Sequence, residues 1–246
     1  MKRLLLNAIL LVLVLPLLAQ AEGLPTITLG IGQAADPGQT STALQILLVL
    51  TVLSMAPAIL LMTTAFIRLV VVLSFVRQAM GTQQMPPNQI IIGLALFLTF
   101  FIMAPVFGQI NERALQPYLD KKIGQEQALT EAVTPMREFM FKQTKEKELG
   151  LLMEIAGQPT PENMEDVPTM TLIPAFMLSE LKRAFQIGFM VYIPFLVIDM
   201  VVASVLMSMG MMMLPPIIIS LPFKLLLFVL VDGWNLVVAS LVQSFL

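Results

Sequence analysis

The feature that most limits what this chain can fold into is the placement of its charges. Ala43 to Ile67 runs for 25 residues without one, and Gln89 to Gln109 is a second charge-free run. As a helix the first would measure about 38 Å, enough to cross a bilayer with some tilt. The last 63 residues carry only Asp199, Lys224 and Asp232, whereas 21 of the 30 charged side chains lie between Glu112 and Arg183. A chain that is 57% hydrophobic with mean hydropathy +0.87, apolar at both ends and polar in the middle, is not a soluble domain. The pattern predicts an all-α integral membrane protein: two long apolar helical hairpins flanking a polar, mainly helical extracytoplasmic region.

The residues that are missing exclude several function classes. There is no cysteine and no histidine, which removes disulfides, thiolate nucleophiles, imidazole bases and the usual zinc and haem ligands. Neither a cofactor nor a metal is expected, and the chain reads as a non-enzyme. A net charge of −2 gives no electrostatic footprint for nucleic acid.

Taken in order, residues 1–21 have the form of a cleavable signal peptide. Lys2 and Arg3 precede the apolar Leu4–Leu15, and Ala19-Gln20-Ala21 places cleavage between Ala21 and Glu22. An extracytoplasmic arm, 22–42, follows. The first hairpin is expected over 43–110, kinked at Pro57 and turned by Ala79–Asn88, where Pro86-Pro87 stops the helix. Arg68 and Arg77 favour a cytoplasmic position for that turn. The polar region, 111–183, holds a helical stretch from Glu131 to Ile155, a loop from Gly157 to Pro168 and an amphipathic lead-in from Leu172 to Gln186. A second hairpin over 184–246 combines Ile187–Leu206 with Ile217–Leu246 around a turn ending at Pro215-Pro216.

Ionisable side chains inside apolar spans are costly and default to functional or assembly roles. Asp199 and Lys224 lie symmetrically about the second turn, so an antiparallel hairpin puts them at similar depth. They can pair within the hairpin or across a subunit boundary; alternatively Lys224 snorkels to an interface. Arg68 and Asp232 have no evident partner in sequence. The turn itself is rich in methionine: six of the fourteen residues from Met200 to Met213. Thioether side chains are unbranched and soft, so the cluster either fills gaps between helices or forms a deformable seal.

Four stretches carry a resemblance to the FliP family of flagellar and virulence type III secretion export proteins. They are Phe66–Gly81 (FIRLVVVLSFVRQAMG), Pro86–Pro105 (PPNQIIIGLALFLTFFIMAP), Pro174–Phe189 (PAFMLSELKRAFQIGF) and Met209–Trp234 (MGMMMLPPIIISLPFKLLLFVLVDGW). The resemblance implies a pore-forming export-gate subunit in the bacterial inner membrane at the flagellar basal body. It implies about five copies assembling with FliQ and FliR into a helical oligomeric channel, engagement of FlhB, and passage of unfolded flagellar proteins. It also assigns the family's methionine constriction to Met211, Met212 and Met213. The competing reading is a small-solute channel or proton-coupled transporter built on Asp199 and Lys224.

Overall fold

The computed structural model describes residues 37–82, 84–159, 161, 163–211 and 213–245; Ala21, Glu22 and Met212 lie outside them. The chain divides into two compact units, 1–51 and 52–246. Within the first, the described residues are the opening of helix α1 (Pro37–Met62). The rest of α1 and every later element belong to the second. All regular elements among the described residues are helices.

α1 continues through Pro57, where the sequence predicts a kink, and ends before residues 63–65. The Thr63 and Thr64 hydroxyls turn back onto the carbonyls of Ile59 and Leu61. α2 (Phe66–Ala79) follows, burying Arg68, Leu69, Val72, Leu73, Val76 and Ala79, a stripe at three- and four-residue spacing. α3 (Asn88–Ile110) lays Ile91, Ala95, Thr99 and Met103 inward, one residue per turn, and packs on α2. Its other side leaves Phe97, Phe100 and Phe101 exposed. A π-helical turn at Asn111–Leu115 leads into the short α4 (Gln116–Leu119), so that 88–119 runs as one 32-residue helical stretch.

The polar region supplies α5 (Gln125–Gln143) and α6 (Glu146–Ile155). Both are held against α7 (Thr169–Ser208), a 40-residue helix. Arg137 of α5 donates to the carbonyls of Val167 (2.7 Å) and Met164 (3.1 Å) and to Thr169, fixing the loop that opens α7. Lys182 of α7 donates to Glu148 at 2.7 Å, and this bond holds the Glu148 carboxyl below the usual carboxylate range. α7 runs without interruption through 183 and 184, joining the amphipathic lead-in and the apolar segment into one helix. Its first half buries Leu172, Phe176, Ala184 and Gly188 where it packs on α2, α5 and α6, Phe176 against Phe139 of α5 and Gly188 against Phe75 of α2. Its second half exposes Met190, Val197, Val201 and Val205.

α8 (Pro216–Leu230) returns antiparallel to the end of α7, and α9 (Gly233–Gln243) leaves it at a 63° bend. Asn88–Leu119 and Thr169–Ser208 are each long and apolar enough to cross a membrane. Two broken pairs, Ile46–Met62 with Phe66–Ala79 and Pro216–Leu230 with Gly233–Gln243, pass the same test together. Apolar side chains left uncovered on such helices must meet lipid or another protein surface.

Candidate functional site

The methionine turn is capped by main-chain hydrogen bonds, to which the Ser208 hydroxyl adds one by donating to the Val205 carbonyl. α7 ends in a Schellman motif, in which the Met211 N–H bonds to the Leu206 carbonyl and the Gly210 N–H to that of Met207, each at 3.0 Å. The motif requires a left-handed residue after the cap, and Gly210 supplies it at φ +75°. Pro215 is extended and Pro216 occupies the first turn of α8, where its missing N–H is no loss. Between these anchored stems the side chains project outward: Met211 is 38% exposed and Met213 98%. Rigid stems therefore carry flexible apolar tips.

Beneath the turn, α7 and α8 enclose a cleft of about 680 Å³ whose lining is wholly apolar, including Val201, Val205, Met209, Met211, Ile219 and Phe223. Deeper along the same hairpin, Lys224 Nζ donates to Asp199 at 2.6 Å, and the Ser220 hydroxyl donates to the other oxygen of Asp199. Lys224 is only 3% exposed, so the pair joins α7 and α8 within one chain and the lysine does not snorkel. Ser220 sits one helical turn before Lys224, which brings both donors to one carboxylate. The pair borders a polar cavity of about 400 Å³ shared with Ser74, Arg77, Gln78 and Tyr192.

Arg68 lies elsewhere, fully buried. All five guanidinium donors find acceptors: both oxygens of Glu180, the carbonyl and hydroxyl of Ser244, and Gln143. The Phe245 ring covers its face at 3.6 Å. Gln143 also accepts from Arg183 and donates to the Phe245 carbonyl. One arginine thus ties α2, α5, α7 and the segment after α9 together. Asp232 joins neither cluster. It adopts a left-handed conformation at φ +51°, between α8 and α9, and accepts from Asn235 at 3.2 Å.

Sequence reasoning missed Glu180, Gln143, Ser220 and Ser244. Glu180 had a legible signal: it falls in the 176/180/184/188 register with Phe176, Ala184 and Gly188, a charge on an otherwise apolar stripe. Gln143 and Ser244 had none. Among the described residues no cluster of acidic side chains could hold a metal ion.

The family model for FliP matches residues 49–241. The chain belongs to the FliP family. The flagellar biosynthetic protein FliP of Bacillus subtilis (strain 168) is 61% identical over 217 residues, covering 88% of this chain and 98% of that protein. FliP of Caulobacter vibrioides is 50% identical over 232 residues, 94% of this chain and 86% of the relative. FliP of Pectobacterium carotovorum is 54% identical over 209 residues, 85% and 81% respectively. The four stretches that carried the resemblance all lie inside the FliP match, as do the methionine turn and the Asp199–Lys224 pair. Of the Arg68 cluster, only Ser244 and Phe245 fall beyond it.

Proposed function

We propose that the chain is the pore-forming core subunit of the flagellar type III protein export gate. About five copies assemble with FliQ and FliR and engage FlhB in the bacterial inner membrane, with 111–183 on the periplasmic side. Unfolded flagellar proteins pass through the assembly. The methionine turn, Met211 to Met213, is its seal. The observation that carries this reading is the combination of a capped, anchored turn with outward methionine tips (Met213 is 98% exposed) in a chain whose relatives are named flagellar biosynthetic proteins.

The mechanism follows from side-chain physics. Several copies of the turn form a ring of thioethers that packs against itself when empty, because methionine adapts to irregular gaps. An apolar constriction also excludes water and ions by dewetting. A moving polypeptide displaces the tips without unfolding the stems, whose capping hydrogen bonds involve no thioether. The Asp199–Lys224–Ser220 cluster fixes α7 against α8 below the turn, so the ring keeps its register while its tips move.

The test is ion leakage across the inner membrane with Met211, Met212 and Met213 all changed to Ala, in cells where expression and assembly are verified. Leakage from an intact complex supports the seal; a tight membrane with normal assembly overturns it. The polar cavity beside Asp199 and Lys224 favours a second reading, a proton-coupled or small-solute pathway. That reading requires flux through this protein alone, abolished by Asp199→Asn.

A further inference from the structure

We infer that the methionine turn is an oxidation site, at which oxygen transfer to Met211 and Met213 turns an apolar seal into a polar, leaking one. The consequence rests on the seal proposed above; the chemistry does not. The chain has 19 methionines and no cysteine, so no thiol in it competes for a two-electron oxidant. The methionines divide sharply by environment. Met80, Met103, Met140 and Met153 are packed in the core, whereas Met207, Met209, Met211 and Met213 are all exposed within one seven-residue stretch. Other exposed methionines, such as Met85 and Met170, stand apart from this cluster.

The reaction needs only a peroxide or a hypohalous acid. With a peroxide the thioether sulfur attacks oxygen, an S–O bond forms and the O–O bond breaks. With hypochlorous acid the sulfur takes Cl⁺ as the O–Cl bond breaks, and water then displaces chloride to form the S–O bond. Sulfur loses two electrons, and water, or chloride with a proton, departs. The sulfoxide has nearly the same length but carries a strong dipole and a hydrogen-bond acceptor, which disrupts methionine-rich surfaces. Two features here make the effect one of polarity and not of unfolding. The cap of the turn uses the main-chain N–H groups of Met209, Gly210 and Met211 and the Ser208 hydroxyl, none of them a thioether, so the stems survive oxidation. The cleft that Met211 lines holds no polar partner, so its sulfoxide is driven out of the cleft toward water. A hydrated ring no longer dewets. Methionine sulfoxide reductases reverse the change.

The experiment uses membrane vesicles containing the assembled gate, treated with limiting hypochlorous acid. Sulfoxides are mapped by peptide mass spectrometry and ion leak is recorded before and after. We expect added oxygen at Met211 and Met213 ahead of Met103 and Met140, a severalfold rise in leak, and its reversal by sulfoxide reductases A and B with reductant. In a variant with Leu at 211, 212 and 213, whatever its own baseline, treatment produces no rise. Sulfoxide at both sites with unchanged leak overturns the inference, as does an equal rise in the Leu variant. Should that variant not assemble, Met213→Leu alone gives the same comparison with a reduced response. If the triple-Ala chain leaks while the oxidised wild type does not, oxidation sensitivity falls and the seal stands. If neither leaks, the seal itself falls.

Discussion

Replacing Arg68 by Met should be the most damaging single change in the second unit, and the structure sets its size. The guanidinium and the Glu180 carboxylate are both fully buried, so the variant leaves a charge without its counter-ion in a dry core. It also strips partners from Gln143 and from Ser244. Breaking a buried ion pair by removing one member costs about 3–5 kcal/mol, roughly two to four orders of magnitude in the folding equilibrium. Glu180→Leu should cost a similar amount. The double variant should cost much less than the sum, with a coupling energy above about 2 kcal/mol, because two apolar side chains replace two stranded charges. Arg68→Lys should fall between, since an ammonium offers three donors and no fork where the guanidinium uses five. Trp234 is the only tryptophan and packs edge-on against Phe228 at 5.3 Å. Its fluorescence during denaturant titration in detergent micelles reads the loss of the α8–α9 end, which Arg68 anchors through Ser244. Single-variant costs below about 1 kcal/mol, the range of surface pairs, would refute the reasoning, as would strict additivity.

Other consequences are open to the same assay. Lys224→Met should cost less than Arg68→Met, about 1–3 kcal/mol, because Asp199 keeps its Ser220 bond and borders a polar cavity; the comparison is a paired melt of the two variants. Gly188→Ala should destabilise by about 1–3 kcal/mol, since an added Cβ would lie 2.7 Å from the Phe75 ring where α2 and α7 meet; a parallel Phe75→Leu change should relieve much of it. The depressed Glu148 carboxyl has a definite pH sign. A group whose folded pKa lies below its unfolded value stabilises above the unfolded value, and that contribution fades as pH falls through the folded one. Melts of the wild type should therefore lose stability faster with acidification than those of Glu148→Gln, and parallel curves would contradict the assignment to the Lys182 bond.

Much of this architecture was legible before any coordinates. Charge-poor apolar runs marked helices long enough to cross a membrane. The proline pairs marked both turns, because two adjacent prolines remove consecutive N–H donors where single ones such as Pro57, Pro105 and Pro194 are carried inside a helix. The symmetric spacing of Asp199 and Lys224 about the methionine turn already implied equal depth. What stayed hidden was long-range. Glu180 meets Arg68 across 112 residues of sequence, and no local periodicity encodes which buried charge finds which. The break at 63–65 went unseen because an interruption between two apolar helices leaves no mark on hydropathy. The bend at Asp232 escaped for a similar reason: a left-handed residue leaves no mark on an apolar profile.

The central claim is that exported chains pass the methionine turn. A photocrosslinking amino acid placed at Met213, in cells holding a secretion substrate stalled by a folded fusion, tests it directly. The account predicts a covalent adduct between position 213 and the unfolded segment of the stalled substrate, and none from the same probe at Phe97 on the outer side of α3. Crosslinks at 213 confined to neighbouring subunits, with the substrate demonstrably stalled in the gate, would contradict it.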